Sequence, residues 1–586
     1  MTWNDERRTI NPRRFLFRAF LPSPAVGAAI AAFVAMLARP NNPDTLWHLA
    51  VGKWIFVHRT IPDISRFYYS ATTGFGYDYS WLSQALLFGA WRLLGGAGIA
   101  ILSSLVAGFI FYLLYKLLER NSANLLVNFV MLGLALMTIS TYLSGRPAMF
   151  TAAFFALEIF ILSDFVQLRG NQTQRHEVTK NEQGSGGRLI WLIPPITALW
   201  ANLHPGFAIA PFVILLFLPL GRDARARRTL AACLAATVAA FIINPYGWRM
   251  YLMPWEMARA LPMLRGLTEW TGVAGWEAVV WGGFVALVAC GLSLRRQPIP
   301  VILLAALAAL AAGVSDRNLP LFGVVAVFTL GRTLLPVLSP VFGRASLVRT
   351  FDVKFETAGG WFWAIAVPLA FVCAVGLRVS PMNLRFNFTG YPRAAVRYIW
   401  NHGCPDNLFV RETWSGYLLW TMPGQKLFFD AKGGFSREAT KEHSELVMPK
   451  AGWRGVADRY GLSTFLLERG SPLAVVLSEA SDWRRVYSDS LAEVFERAPD
   501  GQEHAISSVS RRSATPMTRH EELRRGLPWI TRKWRYCIGR QPLGRTSTMT
   551  SDRRLARSDR RSAGGPDSGQ SGQIQADRRA QRMAGQ

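Results

Sequence analysis

The sequence predicts a polytopic α-helical membrane protein, with about eleven transmembrane helices followed by a small soluble α/β domain. Three observations carry that reading. Apolar runs of membrane length recur through the first ~380 residues, separated by short polar stretches. Hydrophobic residues make up 51% of the 586 residues and charged residues only 18%, with 21 Trp and 36 Phe; a soluble protein averages about 25% charged. Beyond residue ~390 the pattern changes to short strand-like runs alternating with helical stretches.

The apolar runs lie at 22–38, 98–118, 124–143, 148–166, 189–202, 206–220, 229–243, 279–294, 299–314, 319–337 and 361–379. Pro194, Pro195 and Pro205 interrupt the fifth and sixth, which leaves open whether they are two helices or one broken helix. Basic residues set the orientation. Arg7, Arg8, Arg13, Arg14 and Arg18 precede the first run, Lys116 and Arg120 follow the second, and Arg169, Arg175, Lys180 and Arg188 follow the fourth. Arg222, Arg225, Arg227 and Arg228 follow the sixth, Arg295 and Arg296 the eighth, and Arg344, Arg349 and Lys354 the tenth. With this helix count every cluster falls on one side, the cytoplasmic side by the positive-inside rule. The expected organisation is a cytoplasmic basic amino terminus (1–21), a helical bundle (22–379) with a long first outer loop (38–97), an α/β domain outside (380–497), and a disordered Arg-rich tail (498–586). The first run lacks a small-residue cleavage site and reads as an uncleaved anchor.

The net charge of +27 is accounted for by these loop clusters and the tail, so the reading excludes nucleic acid as a partner. The five cysteines form neither a disulfide framework nor a zinc spacing.

The outer loops hold isolated polar residues among aromatics. Asp44 follows Pro43 and opens a helical pattern, as an N-cap or first-turn acid; His48 lies four residues on, on the same helix face. A second amphipathic stretch follows at 80–94. Both helices, with Trp47, Trp54, Trp81 and Trp91, are expected to lie in the membrane interface. The shorter outer loops carry Arg146, Asn202, His204, Asn244, Arg249, Glu269, Asp316 and Arg317. Arginine clamps phosphate bidentately, and a carboxylate or imidazole can deprotonate a hydroxyl, so this set suits an anionic lipid-linked substrate. Glu158, mid-way along the fourth run, is expected to face the bundle interior, held by a structural hydrogen bond or marking an ion pathway.

In the α/β domain, strands are expected at 407–410, 426–430, 464–468, 484–487 and 492–496, and helices at 392–402, 437–448, 453–460 and 474–481. Asp430 and Lys432 would close the second strand, where open α/β sheets often contact ligands.

This organisation resembles the GT-C class of membrane glycosyltransferases. The matching stretches are Asp44 to Trp54, Trp81 to Gln84, Arg146-Pro147, Asn202 to Phe207, Asn244 to Trp248 and Tyr391 to Glu496. More narrowly, it is similar to a group of bacterial polytopic membrane proteins with a periplasmic α/β domain. The resemblance implies sugar transfer from a polyprenyl-phosphate donor to an envelope lipid, glycan or protein acceptor, at the outer face of a bacterial inner membrane. It makes Asp44, with His48, the candidate catalytic group, and Arg146, His204 and Arg317 candidate phosphate ligands. Many members carry a close pair of acids in loop one; here Asp44 is flanked by Asn42 and Thr45, which leaves open whether a divalent metal takes part. A transporter or flippase with Glu158 on the pathway, and a non-catalytic envelope assembly protein, are the competing readings.

Overall fold

The computed structural model describes residues 24–37, 42–70, 78–121, 124–143, 145–166, 186–256, 258, 272–338, 386–430 and 437–498. The chain is mostly helical, with a small sheet in its carboxyl-terminal part. The bundle is built from α1 (Pro24–Met36), α2 (Pro43–His58), α3 (Trp81–Leu94), α4 (Gly96–Glu119), α5 (Leu125–Ile139) and α6 (Ala148–Phe165), then α7 (Ile193–Leu203), α8 (Ala210–Phe217), α9 (Ala224–Ala239), α10 (Gly275–Leu294), α11 (Ile299–Val314) and α12 (Leu319–Thr333).

Three of these, α4, α6 and α10, are long and apolar enough to cross a membrane. The expected count of about eleven is therefore not reached by helix length. The other apolar segments, such as α1, α5 and α11, run 10–17 residues, short of the ~20 that a perpendicular span needs. Some are cut by 3-10 turns: Ser140–Tyr142 ends α5, Leu218–Leu220 ends α8 and Ala240–Ile242 ends α9. The fifth and sixth runs are two segments, because His204 is extended (φ −162°, ψ 144°) and Pro205 follows it. The run 361–379 lies outside the described residues.

α12 is buried almost all round, from Leu319 to Thr333, and forms the centre of the bundle. α10 is the opposite case, with Trp276, Val279, Leu287 and Leu294 exposed, an apolar surface suited to hydrocarbon. The bundle has two chemically distinct ends. At the lower end Arg120 bonds Ser163 (2.9 Å) and Asp164 (3.2 Å), Arg227 donates to the Gly221 carbonyl (3.3 Å), and Arg332 donates to Gln297 (3.0 Å). The upper end carries α2, α3 and the turns that hold Arg146, His204 and Asn244.

The carboxyl-terminal part adds α13 (Arg393–His402), β1 (Leu408–Val410), α14 (Glu412–Thr421), α15 (Arg437–Val447), α16 (Trp453–Arg459), β2 (Thr464–Glu468), α17 (Pro472–Glu479), β3 (Trp483–Ser488) and β4 (Ala492–Arg497). The sheet order is β1-β2-β4-β3, with β1 parallel to β2 and the other pairs antiparallel. Phe409, Phe428, Phe429, Phe465 and Phe495 fill its core. One expectation is corrected here. The stretch 426–430 is no strand of this sheet; Leu427 instead forms an isolated parallel bridge with Tyr68 of loop one. Between β1 and that stretch lies a helix, α14, that the sequence reading did not include.

α2 does not lie open on a surface either. Residues Thr45 to Leu49 are all buried, because α3 packs on one side and α14 on the other. The α2 and α3 backbones come close at Gly52, where a Cβ would stand 2.2 Å from the Gln84 carbonyl oxygen. Only glycine lets the two backbones approach so far.

Candidate functional site at the upper end of the bundle

The site begins with a helix cap. Asn42 is the N-cap of α2, its side chain accepting from the Asp44 amide at 3.0 Å, and Pro43 follows in the first turn, where no N–H is needed. Asp44 is thus the first-turn acid. Arg146 donates to its carboxylate, Nη2 to Oδ2 2.7 Å, with the two side chains 9% and 17% exposed. The pair joins residues from loop one and from the turn before α6. Two further bonds fix that turn: Thr45 Oγ1 donates to the Gly145 carbonyl (3.2 Å), and the Gly145 amide donates to Ser103 Oγ (3.0 Å). The Arg146 guanidinium also lies over the Tyr142 ring, 5.4 Å from its centroid. His48, one turn past Asp44, is buried with its ring edge-on to Trp47.

His204 is tied to the same end of α6. Trp200 Nε1 donates to Thr151 Oγ1 (2.9 Å), which bonds His204 Nδ1 (2.7 Å); the Gly206 amide donates to the same nitrogen (3.1 Å). With Nδ1 accepting, the proton of a neutral ring sits on Nε2. Asn202 spends its amide on the scaffold. Its Oδ1 accepts from Trp81 Nε1 (3.1 Å) and Asn244 Nδ2 (3.3 Å), and its Nδ2 donates to the Ala198 (2.8 Å) and Ile243 (2.7 Å) carbonyls. Asn244 Nδ2 also donates to the Ala201 carbonyl at 3.0 Å. These two asparagines join α3, α7 and the turn after α9.

Asp316 and Arg317 stand half-buried in the 3-10 turn Asp316–Asn318 between α11 and α12. Arg249 is exposed in the turn Gly247–Tyr251, beside exposed Trp248. Glu269 lies outside the described residues. Asp430 accepts from the Tyr68 hydroxyl at 2.7 Å, while Lys432 lies outside the described residues.

Asp78 belongs to this end as well, although the sequence reading gave it no role. Its Oδ1 accepts from Gln84 Nε2 (2.9 Å) and the Ser80 amide (3.1 Å), and its amide donates to the Tyr246 hydroxyl (2.8 Å). Oδ2 and Gln84 Oε1 are buried without hydrogen-bond partners. Burial pushes the Asp78 carboxyl up to about 7, against the opposing pull of the Ser80 and Gln84 bonds. Thr151 and Tyr142 also escaped sequence reading, since nothing in their local pattern sets them apart from other bundle residues.

Among the described residues no three His, Cys, Asp or Glu side chains are grouped so as to hold a metal ion. Asp44 is paired with the Arg146 guanidinium. Further down the bundle, Glu158 lines a small void with Phe154, Ile161, Ile193, Ile196, Thr197 and Trp200. Both its carboxyl oxygens are buried without hydrogen-bond partners, so the structural hydrogen bond expected there is not made.

No protein-family model matches the chain, and no curated protein matches it by sequence. Among solved structures it is similar to the Archaeoglobus fulgidus oligosaccharyltransferase tethered with an acceptor peptide, at 11% identity and a TM-score of 0.48, covering 76% of this chain and 68% of that one. It is also similar to ArnT from Cupriavidus metallidurans bound to undecaprenyl phosphate, at 13% identity and a TM-score of 0.43, covering 84% and 99%. Similarity at this level assigns no residue-by-residue correspondence.

Proposed function

We propose that the chain is a membrane glycosyltransferase that moves a sugar from a polyprenyl-phosphate donor to an envelope lipid, glycan or protein acceptor. The observation that carries this is the largely buried Asp44–Arg146 ion pair at 2.7 Å, seated at the end of the bundle opposite the basic loops. A guanidinium and a carboxylate in one pocket supply the two groups such a transfer needs. Arg146 holds the donor phosphate and balances the charge that builds on it as the glycosidic bond breaks. Asp44, freed from Arg146, accepts the proton of the acceptor hydroxyl. His204, Asp316 and Arg317 stand at the same end and would extend the phosphate site; His48, Asn202, Asn244 and Arg249 would shape it. By the positive-inside rule the basic end is cytoplasmic. That puts the amino terminus inside, and the pocket and the carboxyl-terminal domain at the outer face of a bacterial inner membrane.

The test is transfer by the purified protein from polyprenyl-phosphate sugars. Asp44→Asn should lower kcat by about 10²–10⁴-fold, the usual range for losing a general base, and leave the protein folded. Full activity of Asp44→Asn would remove Asp44 from the chemistry. No transfer by the wild type, with envelope glycans and lipids unchanged on deleting the gene, would overturn the whole reading. A transport function is favoured by one feature, the unpartnered Glu158 carboxyl. Uptake into vesicles that is lost in Glu158→Gln would establish it.

A further inference from the structure

His204 is the N-cap of the 3-10 turn Pro205–Ile209, and its Nδ1 accepts from the Gly206 amide at 3.1 Å. Asn, Asp or Ser would cap that turn as well. What an imidazole adds is a second nitrogen on the other edge of the ring. The contacts around Nδ1 decide what that second nitrogen can do.

Two donors in this group are unambiguous, because a backbone amide and an indole N–H can only donate. The Gly206 amide therefore shows that Nδ1 carries no hydrogen. Trp200 Nε1 donates to Thr151 Oγ1 at 2.9 Å. That oxygen stands 2.7 Å from Nδ1, and with no hydrogen on the nitrogen the hydroxyl must be the donor. The bonds run one way, from Trp200 through Thr151 to His204, and each polarises the next. Whatever the ring offers a ligand at its other nitrogen, it offers as an Nε2–H donor. In the other tautomer Nε2 would present a lone pair, which repels an anion. The relay is held firmly, with Trp200 1% and Thr151 6% exposed. It is also closely fitted: a Cβ on Gly206 would stand 2.3 Å from Thr151 Oγ1, so glycine leaves room for the hydroxyl that sets the ring.

We propose that Thr151, oriented by Trp200, is a positioning residue that fixes the His204 ring so that its Nε2–H donates to the phosphate of the lipid-linked substrate. The proposal rests on the reading of this end of the bundle as a phosphate site and deepens it. Arg146 precedes α6 and Thr151 lies in the first turn of that helix, so the guanidinium and the histidine are both referenced to one helix end. The two then divide the work. Arg146 supplies charge, and His204 supplies a directional donor that needs none. A phosphate oxygen makes such a bond roughly twice as strong as a neutral acceptor would.

Two measurements on the full chain in detergent decide the matter. The first needs no substrate: nitrogen NMR of protein labelled at histidine, at pH 8, with the His204 resonances assigned by their loss in His204→Ala. The wild-type ring should show an unprotonated Nδ1 and a protonated Nε2. The Nδ1 resonance should move in Thr151→Val, which keeps the shape and removes the donor, and return to its wild-type position in Thr151→Ser. A protonated Nδ1 in the wild type, or a resonance indifferent to Thr151→Val, would overturn the proposal. The second is binding of a polyprenyl phosphate. Thr151→Val should raise Kd about three- to tenfold, the range of one hydrogen bond, with Thr151→Ser near wild type. The same change should have little effect when His204 is already Ala. An unchanged Kd in Thr151→Val, or an equal loss with and without the imidazole, would overturn the proposal as well. Absence of binding by the wild type would instead overturn the phosphate-site reading on which it rests, and the resonances would still report whether Thr151 sets the ring.

Discussion

Replacing Asp78 by Asn should make the protein more stable at pH 8 and leave it nearly unchanged at pH 4. Asp78 is 2% exposed, and burial lifts its carboxyl from 3.8 to about 7. A carboxyl whose folded value is raised stabilises the fold fully below its unfolded value, and that contribution is lost as pH climbs through the folded value. The window here runs from about pH 4 to about pH 7. A rise of this size corresponds to on the order of 4 kcal/mol between the two ends of the window. Asparagine is neutral throughout and keeps an oxygen for Gln84 Nε2 and the Ser80 amide. Its amide nitrogen replaces Oδ2, which has no partner in the wild type. The assay is thermal unfolding of the detergent-solubilised protein, followed by tryptophan fluorescence at pH 4 and pH 8. The expected result is a Tm several degrees above wild type at pH 8, with the gap closing at pH 4. A variant less stable than wild type at pH 8, or a difference independent of pH, would refute the argument that Asp78 is held at an electrostatic cost.

Two further outcomes are expected beyond those set out for Asp44 and Thr151. Glu158→Met should raise stability by about 1–3 kcal/mol, because neither oxygen of the buried carboxyl has a hydrogen bond to lose; a fall in Tm would mean that the carboxyl has a function-bearing partner. Asn42→Ala should cost about 1 kcal/mol through loss of the cap on the Asp44 amide, whereas Asn42→Ser should restore most of it, and chemical denaturation of the three proteins would compare them.

The features most legible in the sequence were those fixed by neighbours in the chain. Asn42-Pro43-Asp44 announced the start of a helix, and the alternating runs near 408, 464, 484 and 492 marked four strands, each placed within about two residues. Helix α14 was missed because all its residues from Trp414 to Thr421 are buried, so it lacks the polar face that gives a surface helix its period. The stretch 426–430 has the composition of a strand, but its bridging partner is Tyr68, far away in loop one. The site divides along the same line. Asp44, Arg146 and His204 could be named from charge and position among apolar runs. That Asp44 meets Arg146 depends on a contact across 102 residues, which no local pattern encodes. Thr151 was invisible for the same reason: it is ordinary in its own segment and becomes notable only through what another segment brings against it. Among the described residues the expected number of spans is not reached by helix length, since prolines and 3-10 turns shorten helices whose hydrophobicity runs on.

The bridge between loop one and the carboxyl-terminal domain has a consequence for how the protein is made. Tyr68 and Asp430 are joined across 362 residues, and the Ser70 hydroxyl and Tyr69 amide in the same segment bond the carbonyls of Phe428 and Leu427. At about 5–20 residues per second, roughly 20–70 s of synthesis separate the two halves of this junction. During that interval Phe67 to Ser70 must wait with unmatched backbone groups and an unburied aromatic cluster, while every helix of the bundle is inserted. The first loop is therefore among the first segments to emerge and among the last to reach its final structure. A ribosome that stalls before residue 427 would leave this junction unmade, and in that state the nascent chain offers quality-control proteases an aromatic segment that the finished protein hides.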